Sequence, residues 1–308
     1  MDVIHCNMDE FKTYDQPLAA CIGYFDGIHK GHQKLIQTVL EICKETNCEP
    51  ALITFEPDPW VVLKGIKDVC HITPMQHRME IGEQLGIKKW IILDFDRRMA
   101  QISVNQFHDD ILKKLQIKHL VCGHDFHYAS KGSGSIETLS ECPDFQLHVV
   151  EPVLDDTIRI SSTLIEQAIQ QGEMIECKRQ MGRAFALRGV ITKGNQVGRK
   201  YGYPTANLKV DDAYIMPKKG VYAGYVEYLN TYYPAIINVG HNPSFNYTLK
   251  TSIEAHIFDF NQDLYNQRCT FHFEAYLRGE VCFNGMEALA KQLKIDEQQA
   301  RMILKGEV

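Results

Sequence analysis

The first half of the chain alternates short apolar runs with stretches whose apolar residues recur every three or four positions. The apolar runs predict buried strands and the periodic stretches predict helices. The predicted strands are at residues 17–22, 50–55, 89–95, 119–122 and 146–150. The predicted helices are at residues 33–44, 74–85 and 103–115, the last opened by a capping box of Ser103 and Gln106. Strands separated by helices in this way predict right-handed crossovers and a parallel, doubly wound α/β sheet.

Beyond about residue 182 the pattern changes to alternating apolar and polar positions. Two short helices are expected just before the change, at residues 162–171 and 173–181. Strands are expected after it, at residues 185–192, 221–228, 233–239, 253–260 and 268–276, with a final helix at 285–293. Consecutive strands without intervening helices favour a six-stranded antiparallel barrel. The sequence therefore predicts an α/β domain over residues 1–182 and a mostly-β domain over residues 183–308.

Composition narrows the class of protein. A length of 308 residues with 44% hydrophobic content fits two domains. The formal net charge of −6 argues against a broad surface for nucleic acid or for an anionic membrane. No apolar run approaches the roughly 18 residues of a membrane span, and the N-terminus lacks the pattern of a signal peptide. The ten cysteines contain no C-x-x-C pair and are interpreted as reduced thiols of a cytoplasmic protein, whose oligomeric state stays unknown.

Glycines and histidines are concentrated in the loop at residues 23–32, between the first predicted strand and the following helix. At such a position backbone N–H groups and the positive end of the helix dipole favour a bound phosphate. His29 and His32 are the candidate catalytic pair, two imidazoles placed to clamp a triphosphate. The candidate nucleotide-binding residues of the loop are Gly23, Phe25, Gly27 and Gly31. The alternative is an ordinary turn with structural glycines and solvated histidines.

The second half carries a basic, glycine-containing loop followed by oxygen-bearing side chains. Candidates for binding phosphates in that loop are Gly194, Gly198, Arg199 and Lys200. Thr205 and Asn207 carry hard oxygen atoms suited to octahedral Mg²⁺. Glu254 lies early in a predicted strand and is a candidate base for a hydroxyl that attacks a γ-phosphate. The alternative is a hairpin turn with an exposed strand glutamate.

Several motifs resemble those of the prokaryotic bifunctional FAD synthases, over nearly the whole chain. Residues 202–207 read GYPTAN, similar to the family's G-[FY]-P-T-A-N, and residues 254–260 resemble the family's strand with a catalytic glutamate. The resemblance implies a Rossmann-like nucleotidyltransferase domain with FMN adenylyltransferase activity, followed by a riboflavin kinase domain. It further implies riboflavin, FMN and ATP as substrates, Mg²⁺ bound with ATP, and a glutamate that activates the ribityl 5′-hydroxyl. The flavin-binding residues implied by the resemblance are Asn238, Arg278, Glu280 and Asp125.

Two departures from the family's pattern reverse the sign of a charge in the first domain. Where the family has T-F-x-P-H-P, residues 54–59 read TFEPDP, so Asp58 replaces a histidine. Where the family has I-S-S-T-x-x-R, the arginine is replaced by Glu166, although the candidate nucleotide-binding residues Ser162 and Thr163 are retained. Carboxylates at these places are expected to repel a triphosphate. We therefore expect strong riboflavin phosphorylation with weakened or lost FMN adenylylation; the alternatives are a fully bifunctional enzyme and a non-catalytic flavin-binding regulator.

Overall fold

A computed structural model describes residues 1–8, 13–194, 203–241, 251–281, 283 and 285–306. The chain forms two compact units, the first of Met1–Val69 with Thr73–Ser161 and the second of Cys70–Ile72 with Ser162–Val308. The short segment Cys70–Ile72 belongs to the second unit, where His71 forms a bridge with Tyr214. Because the second unit also takes in the helices before residue 182, the compact units divide earlier than the predicted domains. The domain boundary near residue 182 stays a prediction.

Six parallel strands form the main sheet of the first unit, which confirms the predicted doubly wound α/β architecture. They are β1 (Asp2–Cys6), β2 (Leu18–Ile22), β3 (Glu49–Glu56), β4 (Lys89–Asp94), β5 (Ile117–Gly123) and β6 (Gln146–Val150). Their order across the sheet is β1-β4-β3-β2-β5-β6, with every neighbouring pair parallel. A small antiparallel pair follows, of β7 (Leu154–Asp155) and β8 (Ile158–Arg159). Since β2 and β3 are parallel neighbours, the loops after them begin at the same edge of the sheet.

Helices of the first unit follow the strands. They are α1 (Lys30–Glu45), α2 (Pro59–Lys64), α3 (Met75–Gln84), α4 (Val104–Gln106), which continues as a π-helical turn (Phe107–Leu112), and α5 (Ile136–Ser140), with 3₁₀ turns at Met99–Gln101 and Ser130–Gly132. Successive residues of a strand point to opposite faces. In β2, Ala20 and Ile22 pack into one apolar core, whereas Ala19 and Cys21 pack into another. The central strands are therefore buried on both faces.

The second unit begins with two helices and continues as a closed six-stranded barrel with a C-terminal helix, which confirms the predicted mostly-β fold. The helices are α6 (Ser162–Gln171), α7 (Met174–Met181) and α8 (Met286–Leu304). The strands are β9 (Phe185–Thr192), β10 (Ala206–Val210), β11 (Gly220–Tyr228), β12 (Thr231–His241), β13 (Thr251–Ile257) and β14 (Arg268–Arg278). They close in the order β10-β13-β12-β11-β14-β9. None of the helices in the described part of the chain has the length and hydrophobicity needed to cross a bilayer.

Helix α8 is longer than the sequence predicts, because its apolar pattern is interrupted by a polar residue that the fold buries. The predicted end is near residue 293, whereas the helix continues to Leu304. Asp296 lies in the added part and is only 1% exposed, and Ala300 one turn later is fully buried. Asp296 forms an ion pair with Arg278 of the barrel, so a charged residue occupies a position that would be apolar in an ordinary amphipathic helix.

Candidate active sites

The loop between β2 and α1 has a backbone that few residue types adopt. Phe25, Gly27 and Ile28 have φ values of 59°, 83° and 36°. The side chains of Phe25 and Ile28 are fully buried, so apolar packing compensates for left-handed conformations that cost energy in non-glycine residues. The turn is therefore anchored in the apolar core by these two side chains. Gly23 follows the last residue of β2 and donates its backbone N–H to the carbonyl oxygen of Ile53 at 3.1 Å.

The two candidate catalytic histidines are stacked at the start of α1. The ring centroids of His29 and His32 lie 3.6 Å apart, with an angle of 16° between the planes. His29 is the N-cap residue, and its Nδ1 accepts a hydrogen bond from the backbone N–H of His32 at 3.3 Å. A side chain at Gly31 would meet the His29 ring at 3.0 Å, so the glycine leaves room for the stack. Two imidazoles at a helix N-terminus suit the stabilisation of negative charge on a phosphate.

A buried arginine from α3 supports this loop from within the first unit. Arg78 is 1% exposed and donates to the carbonyl oxygens of Thr73 at 2.7 Å and Tyr24 at 2.8 Å. Its guanidinium carbon also lies 4.9 Å from the centre of the Tyr24 ring. Asp26 completes the support, since its Oδ1 accepts a hydrogen bond from the backbone N–H of Thr73 at 2.9 Å. Sequence reasoning missed Arg78, because one arginine on a predicted helix is ordinarily solvated.

Asp58, which replaces the family's histidine, is engaged with the same loop. It is the N-cap residue of α2, two residues after the end of β3, and is 8% exposed. Its side chain forms a hydrogen bond with the Tyr24 hydroxyl, and burial together with this bond raises the pKa of Tyr24. Trp60 packs edge-on against the Tyr24 ring, with 5.2 Å between ring centroids. The carboxylate therefore has a partner inside the protein.

The other candidate residues of the predicted first domain, residues 1–182, occupy separate settings. Asp125 follows β5 and forms an ion pair with Arg159 at 2.6 Å. The pKa of Asp125 is lowered. Burial by itself would raise it, but the hydrogen bond from Arg159 and the positive charge of Arg159 outweigh the effect of burial. Ser162 and Thr163 are the first residues of α6, which belongs to the second unit. Within that helix Glu166 accepts a hydrogen bond from Gln170 at 3.4 Å. The roles predicted for these residues stay predictions.

Across the barrel of the second unit, the strand register aligns four candidate residues in one row. Asn207 of β10 pairs with Glu254 of β13, which pairs with Asn238 of β12. Asn238 pairs with Val221 of β11, which pairs with Arg278 of β14. Directly paired residues of antiparallel strands project from the same face. Four residues that are far apart in sequence therefore project from the same surface of the barrel wall, in a row that crosses five of its six strands.

Glu254 lies within this row, and its hydrogen bonding and raised pKa are those expected of a general base. Its Oε2 accepts a hydrogen bond from the Thr205 hydroxyl at 3.4 Å. Burial raises the pKa of Glu254 above its ordinary value, and the hydrogen bond from Thr205 opposes that shift only in part. A raised pKa makes a carboxylate a better proton acceptor near neutral pH. Gly194 lies so close to the Asn207 amide that any side chain at residue 194 would overlap it.

The barrel also holds a cavity beside Thr205 that sequence reasoning missed. Its volume is about 410 Å³, and it is lined chiefly by residues 204–206 and 260–265, with Ile191 and Ile257 at its apolar side. Pockets for small organic ligands are of this size and of this mixed character. The loop at residues 260–265 carries no motif, so its part in the cavity follows only from the fold.

The flavin-side candidates lie at the opposite end of the row from Asn207. Arg278 forms a two-pronged ion pair with Asp296 of α8, with an Nη2–Oδ2 distance of 2.6 Å. The Glu280 carboxylate lies against Gly240, where any side chain would overlap it. Gly198, Arg199 and Lys200 lie outside the described residues.

The oxygen atoms around Glu254 fit a magnesium ion. Thr205 offers a hydroxyl and Asn207 an amide oxygen, and both are near a carboxylate. Hard oxygen donors of this kind, few in number, suit Mg²⁺, which is commonly held by one or two protein groups together with phosphate and water. Among the described residues there is no cluster of three or more His, Cys, Asp or Glu that could hold a metal ion.

Taken together, the two units define a class of protein with one candidate site for phosphate chemistry in each unit. One is a histidine pair at a helix N-terminus of an α/β unit; the other is a partly buried glutamate beside a threonine hydroxyl on a barrel. The FAD synthetase family matches residues 11–164, and the riboflavin kinase family matches residues 181–304. The chain belongs to the family of bifunctional riboflavin kinase/FMN adenylyltransferases.

Individual relatives cover almost the full length of the chain. It is 33% identical to the bifunctional riboflavin kinase/FMN adenylyltransferase of Listeria monocytogenes, over 95% of this chain and 94% of the relative. Identity to the enzyme of the same description from Bacillus subtilis is 35%, over 91% and 90% of the two chains. A crystal structure of a Streptococcus pneumoniae protein described as a macrolide-efflux protein is 32% identical, with a TM-score of 0.91 over 97% of this chain and 98% of that chain.

Proposed function

We propose that the second unit transfers the γ-phosphate of ATP to riboflavin, with Glu254 as the general base. The carrying observation is the row that aligns Asn207, Glu254, Asn238 and Arg278 on one face of the barrel. Glu254 and Arg278 lie three strands apart in the closed barrel, with Asn238 and Val221 between them in the register. The flavin ring is proposed to bind toward Arg278 and Glu280, with the ribityl chain directed toward Glu254.

In the phosphoryl-transfer step, the ribityl 5′-oxygen forms a bond to the γ-phosphorus as the bond between that phosphorus and ADP breaks. Glu254 takes the proton of the attacking hydroxyl. Thr205 and Asn207 would hold Mg²⁺, which neutralises phosphate charge when bound. The cavity beside Thr205 accommodates the nucleoside part of ATP. Gly194, together with Gly198, Arg199 and Lys200, is proposed to bind its phosphates.

For the first unit we propose adenylyl transfer from ATP to the FMN made by the second. A phosphate oxygen of FMN forms a bond to the α-phosphorus of ATP, and pyrophosphate leaves. His29 and His32 stabilise the negative charge that develops on the α-phosphate, a role supported by their stacking at the N-terminus of α1. Gly23, Phe25, Gly27 and Gly31 shape the loop for the nucleotide, and Asp125 binds the flavin.

The competing proposal is a riboflavin kinase whose adenylyltransferase half is weakened by Asp58 and Glu166. Against it stands the hydrogen bond that Asp58 makes with Tyr24, beside the buried cation of Arg78. The test is incubation of the purified protein with riboflavin, ATP and Mg²⁺, with the flavins separated by chromatography. Formation of FMN followed by FAD supports both proposals for the two units, whereas accumulation of FMN alone supports the kinase. Absence of FMN contradicts the proposed kinase site.

The domain division and cellular setting are proposals of the same kind. The unmatched gap between the two family matches, residues 165–180, supports a domain boundary near residue 182. We propose a cytoplasmic enzyme that needs neither nucleic acid nor a membrane. Expression of residues 183–308 alone tests the boundary, which predicts a folded fragment that forms FMN; an insoluble or inactive fragment would count against it.

A further inference from the structure

The Arg278 guanidinium is held by a carboxylate on helix α8. Its Nε lies 3.0 and 3.1 Å from the two carboxylate oxygens of Asp296, and its Nη2 lies 2.6 Å from Oδ2. Its Nη1 donates to the carbonyl oxygen of Gly279 at 3.0 Å. Paired contacts of this kind fix both the position and the plane of an arginine fork.

Asp296 is buried, so its negative charge needs the partner that Arg278 provides. Its side chain is 1% exposed, whereas the Arg278 side chain is 20% exposed. Gln292, one turn earlier on α8, donates a second hydrogen bond to Oδ1 at 2.8 Å. A buried carboxylate is costly unless it is paired and hydrogen-bonded. In this ion pair the Asp296 carboxylate is therefore in the interior of the unit, and the Arg278 guanidinium is nearer the surface.

Arg278, the more exposed residue of the ion pair, is also a member of the row of candidate residues. Arg278 pairs across the strands with Val221, and Val221 pairs with Asn238. The guanidinium carbon lies 5.7 Å from the centre of the Phe283 ring. Counting contacts among the described residues, the bonds to Asp296 and Gly279 leave one N–H on each terminal nitrogen of Arg278 for a ligand.

We propose that Asp296 is a positioning residue of the kinase site, which fixes the Arg278 fork so that its remaining N–H groups bind polar atoms of the flavin ring. This inference rests on the proposed riboflavin kinase function. Asp296 does not touch substrate itself; it acts through Arg278. Helix α8, in which the sequence alone indicates no candidate residue, thereby contributes to flavin affinity.

The test compares Asp296→Asn with Glu297→Gln, in the full-length protein. Glu297 is a matched control, because it is the next residue of the same helix and also binds an arginine, Arg301, at 2.8 Å. We expect Asp296→Asn to raise the KM for riboflavin about 10- to 100-fold, as misplacement of a substrate-positioning group does. Glu297→Gln should stay within about twofold. FMN-to-FAD conversion should be unchanged in both variants and serves as an internal control.

Two further measurements separate positioning from simple stability. Riboflavin affinity, followed by flavin fluorescence below the melting temperature of each variant, should weaken in parallel with KM, and Asp296→Glu should restore part of it. A lower melting temperature with unchanged KM and unchanged affinity would overturn the inference. If Asp296→Asn does not fold, Arg278→Lys replaces it, since lysine keeps a cation beside Asp296 but lacks the planar fork; wild-type affinity and KM in Arg278→Lys would overturn the inference as well. Wild-type protein that binds riboflavin but forms no FMN would instead contradict the proposed function.

Discussion

Replacing Asp58 by asparagine distinguishes repulsion of the triphosphate from a supporting role in the loop. If the carboxylate faced a phosphate about 5 Å away, the repulsion would be about 3 kcal/mol at an effective dielectric constant of about 20. Removing the charge would then accelerate FMN adenylylation about 100-fold. The structure favours the supporting role, because Asp58 is 8% exposed and bonded to the Tyr24 hydroxyl.

Asparagine keeps an oxygen that accepts the hydrogen bond of the Tyr24 hydroxyl. The substitution therefore only replaces a charged acceptor by a neutral one, which weakens this hydrogen bond by about 1 kcal/mol. We expect Asp58→Asn to convert FMN to FAD at a rate equal to the wild type or up to about fivefold lower. Asp58→Ala, which removes the acceptor as well, should be slower still. The assay follows FAD from supplied FMN and ATP by chromatography.

Asp110→Asn is the control for net charge, since it removes one carboxylate from a half-exposed position where Asp110 pairs with Lys114. It should leave FAD formation unchanged. A tenfold or greater acceleration in Asp58→Asn, absent from this control, would refute the supporting role and establish repulsion.

Further predictions concern the proposed catalytic groups. Glu254→Gln should lower FMN formation about 10²- to 10⁴-fold, with conversion of supplied FMN to FAD unchanged. Because the base acts as a carboxylate and burial raises the pKa of Glu254, acidification should slow FMN formation at a higher pH than an ordinary glutamate would, which a pH–rate profile measures. His29→Ala should lower FAD formation about 10²- to 10³-fold and spare FMN formation; equal loss of both products would contradict the division of labour. Chelation by EDTA should stop FMN formation, and added Mg²⁺ should restore it.

Strands with a buried apolar face could be predicted from the sequence, whereas β1 and β10, which each have a single buried residue, could not. All of β2 is buried, and its apolar run predicts a strand. In β1 only Cys6 is buried, and Val3 is 45% exposed, so this edge strand lacks the apolar signal. Strand β10 is not among the predicted strands, because its first residues belong to the motif of candidate oxygen ligands.

The candidate sites show the same limit. Residue types and spacing make His29 and His32 candidates, because they stand beside glycines between a strand and a helix, and Glu254 is a candidate as a carboxylate early in a predicted strand. Their roles stay predictions. Residue types and spacing do not identify Arg78 or Asp296, since a charged residue on a helix is expected to be solvated. Only the fold reveals that both are buried and bind groups beneath a candidate site. The missed residues are those that hold other residues in place.

The central claim is that one chain phosphorylates riboflavin to FMN at one site and adenylylates FMN to FAD at another. The most direct measurement is the time course of flavin products from riboflavin, ATP and Mg²⁺ with the purified full-length protein. The account predicts that FMN appears first and is then converted to FAD. It would be contradicted by a complete absence of FMN, or by FMN that accumulates while neither it nor supplied FMN is converted to FAD.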